Sequence, residues 1–115
     1  MVQLGDSGGI ESSGYLGGAA QITDAGQAIT RSTAGILLAG IWDAAFTVHG
    51  SVVLTLLDAS TNTWIATVTG GASEVDRTFH GAFSKQLSGT LTQLLLTTVN
   101  GTDTFDAGLI NVQYE

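Results

Sequence analysis

The sequence has no cysteine and only three basic residues, Arg31, Arg77 and Lys85, against ten acidic ones. The absence of cysteine excludes disulfides, thiolate metal sites and a cysteine nucleophile. The formal net charge of −7 argues against binding to nucleic acid or to an anionic membrane, because both interactions need cations that contact phosphates. A basic protein partner is compatible with this charge. So is a simpler interpretation, in which the acidic residues serve only solubility.

Long apolar runs are also missing, and none approaches the length needed to span a bilayer. No basic segment followed by an apolar one marks a signal peptide. These absences predict synthesis in a cytoplasm, with release only through assembly or lysis. Proline is absent too, which is unusual for a chain rich in β-structure. At 115 residues with 43% apolar content, the sequence predicts one domain with a real core.

The clearest pattern lies in residues 46–69. Even-numbered positions from Phe46 to Leu56 are mostly apolar, while odd-numbered positions there are mostly polar. This alternation predicts a strand with one face in a core. Short polar residues at 58–62 favour a turn, and the alternation resumes at residues 64–68. The segment is therefore predicted to be a β-hairpin.

Further strands are predicted along the rest of the chain. Residues 34–42 are apolar on both parities, which favours a strand buried on both sides or at a subunit contact. Residues 75–87 carry charge and predict an edge strand, and residues 90–99 predict a mid-sheet strand. The Asn100-Gly101 pair predicts a hairpin turn before a final strand at 110–114. Together these indicate an all-β antiparallel sandwich or barrel, with jelly-roll-like and immunoglobulin-like orders both open.

Residues 1–30 have a different composition, rich in Gly, Ser and Ala. We predict an extended N-terminal arm that orders on a partner subunit, followed by a β-sandwich domain at 31–115. Two alternatives are an irregular first pair of strands on the same domain and a disordered tail. Within the arm, Ile10, Tyr15 and Leu16 are the predicted anchors.

No catalytic motif is present, and we expect neither an enzyme nor a cofactor. His49 and His80 have no neighbouring nucleophile or metal-ligand motif. Asp103 and Asp106 could in principle flank a sugar, but turn formation beside Asn100 explains them better.

Two further patterns could bind ligands. Asp58, Ser60 and Asn62 alternate like part of a calcium loop, but the glycine and terminal glutamate of such loops are missing, so a polar turn is the better interpretation. Four aromatic residues could stack on sugar rings: Trp42, Trp64, Tyr15 and Tyr114. The positions of the two tryptophans also suit the core.

The strand-and-turn pattern from residue 45 to 115 resembles the small β-sandwich proteins of tailed-bacteriophage virions. The resemblance rests on Gly50–Asp58 leading to Thr63-Trp64, on Ser88–Leu96, on Asn100-Gly101 and on Gly108–Tyr114. It implies a capsid cement or decoration protein, made in the host cytoplasm and located on the capsid exterior. Such proteins bind the major capsid protein as homo-oligomers, often trimers, between its subunits.

The partner-binding residues predicted on this basis are Ile10, Tyr15, Leu16, Ile36, Leu38 and Trp42. The last three come from the two-faced apolar run at 34–42, which one small sandwich cannot easily cover. Alternatives are a carbohydrate-binding or host-recognition module and a tail or neck adaptor of the virion.

Overall fold

The computed structural model describes residues 1–38 and 45–114. Within them the chain forms strands and no helix, which confirms the all-β prediction. The eight strands are β1 (Val2–Asp6), β2 (Gly9–Ile10), β3 (Leu16–Thr23), β4 (Gly26–Arg31), β5 (Val48–Asp58), β6 (Thr63–Ala72), β7 (Arg77–Gln86) and β8 (Gln93–Leu96).

The strands form two antiparallel sheets that pack together as a sandwich. The smaller sheet has the order β2-β1-β8, and the larger has the order β4-β3-β7-β6-β5. Between them lies one apolar core, to which Leu4 and Ile36 contribute beside the small sheet and Val68, Phe79 and Phe83 contribute from the large one. These side chains hold the layers together because their burial removes apolar surface from water.

The predicted hairpin at 46–69 is confirmed as β5 and β6, which pair antiparallel. The Asp58 carboxylate accepts hydrogen bonds from the backbone N–H of Ser60 at 2.8 Å and from its hydroxyl at 2.7 Å. Asn62 adopts a φ of 51°, a left-handed conformation that asparagine tolerates. Residues at 58–62 therefore act as a turn, as expected from their polar side chains.

The even-numbered face of β5 points inward, but only its middle meets the core. Val52 and Leu54 are half-buried against the core, whereas Val48 and Leu56 remain 43% and 44% exposed. Strands lie about 4.8 Å apart, so a three-stranded sheet spans roughly half the width of a five-stranded one. As the last strand of the larger sheet, β5 is therefore only partly covered.

The segment at 75–87 was predicted to be an edge strand, and this is wrong. Its strand β7 lies in the centre of the large sheet, between β3 and β6. Phe79 and Phe83 project from it into the core. A Cβ at Gly81 would lie 2.8 Å from the Gly18 carbonyl oxygen, so this glycine permits a close approach of strands.

Residues 1–30 lie within the sandwich and do not form an arm. They supply β1 and β2 to the small sheet and β3 and β4 to the large one, so the predicted boundary at residue 31 falls at the end of β4. Close backbone contacts explain why glycine occurs at some positions in this segment. A Cβ at Gly5 would lie 2.9 Å from the Gly9 carbonyl carbon. Of the three possibilities considered for residues 1–30, the structure therefore agrees with strands that belong to the same domain.

The apolar run at 34–42 is described only as far as Leu38. Ile36 forms an isolated bridge with Val2, in which each N–H donates to the other carbonyl at 2.8 Å. Residues 34–38 contain no longer strand, and residues 39–42 of the predicted strand lie outside the described residues. Ile36 and Leu37 are buried, which agrees with the apolar pattern.

The predictions for residues 90–114 also need correction. β8 is only four residues long and lies at the edge of the small sheet instead of mid-sheet. The predicted turn exists, since Gly101 has a φ of 71° and Asn100 Oδ1 accepts from the backbone N–H of Thr102 at 3.1 Å. No strand follows it at 110–114, and these side chains are exposed.

Candidate partner-binding surfaces

The outward side of β3 and β4 carries apolar side chains in water. Leu16, Ile22 and Ile29 are 68%, 44% and 72% exposed. They share this side because strand residues two positions apart point the same way, and because Ala20 of β3 pairs with Ile29 of β4. We call Leu16, Ile22 and Ile29 the outer apolar face. Grouped exposed apolar side chains of this kind are candidates for an interaction surface.

A groove of about 670 Å³ runs along the outer apolar face. Small residues from β3 and β7 line it, namely Gly18, Ala20 and Ala82. Leu16 and Ile29 also line the groove, together with the cation Arg31 and with His80. The arrangement suits an apolar side chain of a partner next to an acidic or polar one.

Among Leu16, Ile10 and Trp42, three of the six residues predicted for partner binding, those that the structure describes differ in exposure to solvent. Leu16 is exposed on the outer apolar face. Ile10 is half-buried at the end of β2. Trp42 lies outside the described residues. Among the predicted contacts that the structure describes, Leu16 is therefore the most exposed in a single copy.

The other three predicted contacts lie in or against the core of their own chain. Tyr15 is fully buried and Ile36 is 1% exposed, while Leu38 is half-buried against the same core. Tyr15 Oη accepts from the backbone N–H of Leu4 at 2.6 Å and donates to the carbonyl of Glu11 at 3.0 Å. Burial raises the pKa of the Tyr15 hydroxyl. These side chains stabilise the fold; in a single copy Tyr15 and Ile36 are not displayed at the surface, and Leu38 is displayed only in part.

A polar cluster lies beside Tyr15 and connects the two sheets. Lys85 of β7 is buried and forms an ion pair with Glu11. Ser88 Oγ lies 2.9 Å from Glu11 Oε1 and 2.6 Å from the buried carboxylate of Asp6. The Lys85 ammonium also lies 5.5 Å from the centre of the Tyr15 ring. Paired and hydrogen-bonded in this way, these charges fasten β1 and the segment after β2 to β7.

The Lys85 ammonium, followed by the backbone N–H of Ser88, holds the pKa of Glu11 below its ordinary value. Both donors favour the charged form of this carboxyl. Sequence reasoning missed this cluster. The available signal was Lys85 on the same strand parity as Phe79 and Phe83, because a lone cation among inward-facing positions requires a buried anion.

The two histidines lie on different strands, His49 on β5 and His80 on β7, with β6 between them. His49 Nδ1 is 3.2 Å from the hydroxyl of Ser73. Across residues 1–38 and 45–114, no group of three or more His, Asp or Glu side chains could hold a metal ion. Asp103 and Asp106 are exposed, and the backbone N–H of Asp103 donates to Asn100 Oδ1 at 3.1 Å.

Trp64 is half-buried and packs against the core. We expect acrylamide to quench its fluorescence less than that of a free tryptophan, because the core shields one side of the ring. The measurement uses Trp42→Phe, so that Trp64 is the one remaining tryptophan. Trp64→Phe is the matched variant that reports Trp42. Quenching of Trp64 as strong as that of free tryptophan would contradict its packing and favour a sugar-stacking surface.

In the part of the chain that the structure describes, no helix is long and apolar enough to cross a membrane. No protein-family model, no curated protein sequence and no solved structure matches this chain.

Proposed function

We propose that this chain is a capsid decoration protein of a tailed-phage virion. It binds on the capsid exterior between subunits of the major capsid protein, as a homo-oligomer and most simply a trimer. The sequence resemblance over residues 45–115 supports this proposal, and so does the antiparallel sandwich. Its action is adhesion without chemistry, so neither a catalytic residue nor a cofactor is required.

The outer apolar face is the single observation that carries the proposal. Leu16 and Ile29 are more than two-thirds exposed, so a partner that covers them removes apolar surface from water. Full burial of one such side chain contributes about 2 kcal/mol. A few of these contacts give a weak site on each copy. An oligomer that binds several capsid subunits at once raises the total affinity, because each later contact is intramolecular.

The experiment measures binding to empty shells assembled from the major capsid protein of the same virion, by co-sedimentation. We expect Leu16→Asp/Ile29→Asp to weaken binding by about 100-fold or more, because two apolar contacts are lost and two anions replace them. Ala59→Asp/Thr92→Asp is the matched control, since both residues are exposed, neither lines the groove and the added charge is the same.

The control variant should bind like the wild type. Equal loss in both variants would indicate that net charge decides binding and would contradict a role for the outer apolar face. Absence of wild-type binding to shells would contradict the capsid assignment. Binding to purified tail or neck proteins instead would assign the chain to an adaptor role.

A further inference from the structure

Residues 109–114 have the sequence of a strand, but they pair with no strand in the part of the chain that the structure describes. Ile110, Val112 and Tyr114 share one parity and are 71%, 63% and 95% exposed. Asn111 and Gln113 occupy the other parity. Alternation of β-branched and aromatic residues with polar ones is typical of a half-buried strand. In a single copy, every residue from 100 to 114 is exposed, so the apolar side of this segment is uncovered.

At the edge of the large sheet, β5 has one side without a partner strand among the described residues. Among the described residues, β6 is the only strand that pairs with β5. β5 is eleven residues long and contains neither lysine nor proline. Its single acidic residue, Asp58, and its one register shift, between Leu56 and Asp58, both lie at its end, so Val48–Thr55 has none of these protections. Exposed sheet edges are normally kept short or protected by charge, proline or bulges, because their free backbone groups attract another strand.

The other edges are less suitable acceptors. β4 has six residues and includes Gly26 and the cation Arg31. In the small sheet, the edge strands β8 and β2 have only four and two residues. β5 also has partly uncovered apolar side chains on its inward parity, at Val48 and Leu56. A strand added beside β5 would extend the inward face and shield this row.

We propose that residues 109–114 of one copy add as a strand to the β5 edge of a second copy. Ile110, Val112 and Tyr114 then join the inward row that contains Val52 and Leu54, and Asn111 and Gln113 face outward. This deepens the homo-oligomer part of the proposed function and does not depend on the capsid as partner. The added strand gains backbone hydrogen bonds from β5 and burial from its apolar parity.

We infer that the partner is a second copy of this chain, because strand exchange between copies pairs both the segment 109–114 and the edge of β5. A foreign strand on β5 would leave residues 109–114 uncovered, and a foreign acceptor for residues 109–114 would leave β5 open. Each copy of this chain carries one donor segment and one acceptor edge. Exchange around a closed dimer or trimer therefore satisfies every copy equally, as closed symmetric oligomers require.

The first test is the molar mass of the full chain by light scattering at micromolar concentration. We expect the wild type to have two or three times the monomer mass of 11.7 kDa. Ile110→Asp/Val112→Asp should fall to the monomer mass, because it places charge on the parity that becomes buried. Asn111→Asp/Gln113→Asp adds the same charge on the other parity and should keep the oligomer. At concentrations low enough to dissociate the oligomer, all three proteins should unfold at the same temperature, since the substituted residues are exposed in a single copy.

The second test identifies the acceptor edge and uses the absence of native cysteine. Gln113→Cys is mixed in turn with chains carrying Ser51→Cys, Val53→Cys or Thr55→Cys, which sample the register along the outward side of β5. Residues opposite each other on antiparallel strands have Cα atoms about 5 Å apart, within reach of a disulfide. Oxidation should give a heterodimer with at least one of them. A chain carrying Ile29→Cys on β4 is the control and should give none.

A monomeric wild type would overturn the proposal. So would an oligomer that survives Ile110→Asp/Val112→Asp, or cross-linking to Ile29→Cys in place of the β5 positions. A disulfide formed within one chain, by a protein that carries both Gln113→Cys and a β5 cysteine, would assign the segment to its own sheet and would also overturn it. No capsid protein is present in either test. A failure of shell binding with intact strand exchange is therefore distinguishable from the reverse.

Discussion

Glu11→Gln is expected to lower the free energy of unfolding by about 3 kcal/mol, because it leaves a buried lysine without its anion. The Lys85 side chain is 7% exposed and the Glu11 side chain is 24% exposed, so water can replace little of the lost interaction. The amide also weakens the acceptor for the backbone N–H of Ser88, which donates to Glu11 Oε1 at 2.8 Å. Urea unfolding at neutral pH measures the loss.

The double variant Glu11→Gln/Lys85→Met is the matched control. It removes both charges and restores an apolar contact, and replacement of a buried ion pair by apolar groups is often nearly neutral. We expect it to be more stable than Glu11→Gln alone. A single variant within about 0.5 kcal/mol of the wild type would contradict a role for this ion pair, since that is the usual range for surface substitutions.

The same carboxyl predicts a pH dependence of stability. The bond from Lys85, and then that from Ser88, hold the pKa of Glu11 in the folded protein below its ordinary value. Its contribution is therefore fully present above the ordinary glutamate pKa of about 4.3 and is lost as the pH falls through the lower folded pKa. Wild-type stability should decrease in that acidic window. In Glu11→Gln, the part of this decrease that comes from Glu11 should be absent. Urea unfolding at several pH values measures the free energy of unfolding of both proteins and tests this.

Gly17→Ala is the second substitution with a large expected effect. Gly17 has a φ of 147°, and a Cβ there would overlap the carbonyl oxygen of Ala82 on the neighbouring strand. β3 and β7 would have to separate at the centre of the large sheet. Backbone strain and overpacking together should cost about 4 kcal/mol, which thermal and urea unfolding can measure.

Gly9→Ala separates these two causes. Gly9 also has a positive φ, 124°, but a Cβ at this position meets no atom within 4 Å. This control carries strain without a collision and should cost about 1 to 2 kcal/mol. Equal losses in the two variants would show that the close approach of β3 and β7 does not limit stability.

The parts of the fold that were predicted correctly from the sequence depend on interactions between residues close to each other in the chain. The β5–β6 hairpin follows from alternation along each strand and from the turn in which Asp58 binds Ser60. Of the surface now proposed for binding, Leu16 was predicted, although from an arm that does not exist. Ile22 and Ile29 were missed, because their outward direction depends on the side of the large sheet that the core covers.

The amino-acid sequence by itself determined an antiparallel all-β body, since period and turn chemistry act over a few residues. Only the tertiary structure decided that β7 is central, that Tyr15 is buried and that Glu11 meets Lys85. The partners in that ion pair are 74 residues apart. Such pairings depend on which strands come together, and no local pattern records this. Glycine illustrates the difference, because the same residue type permits a flexible arm or a tight strand contact depending on the backbone that faces it.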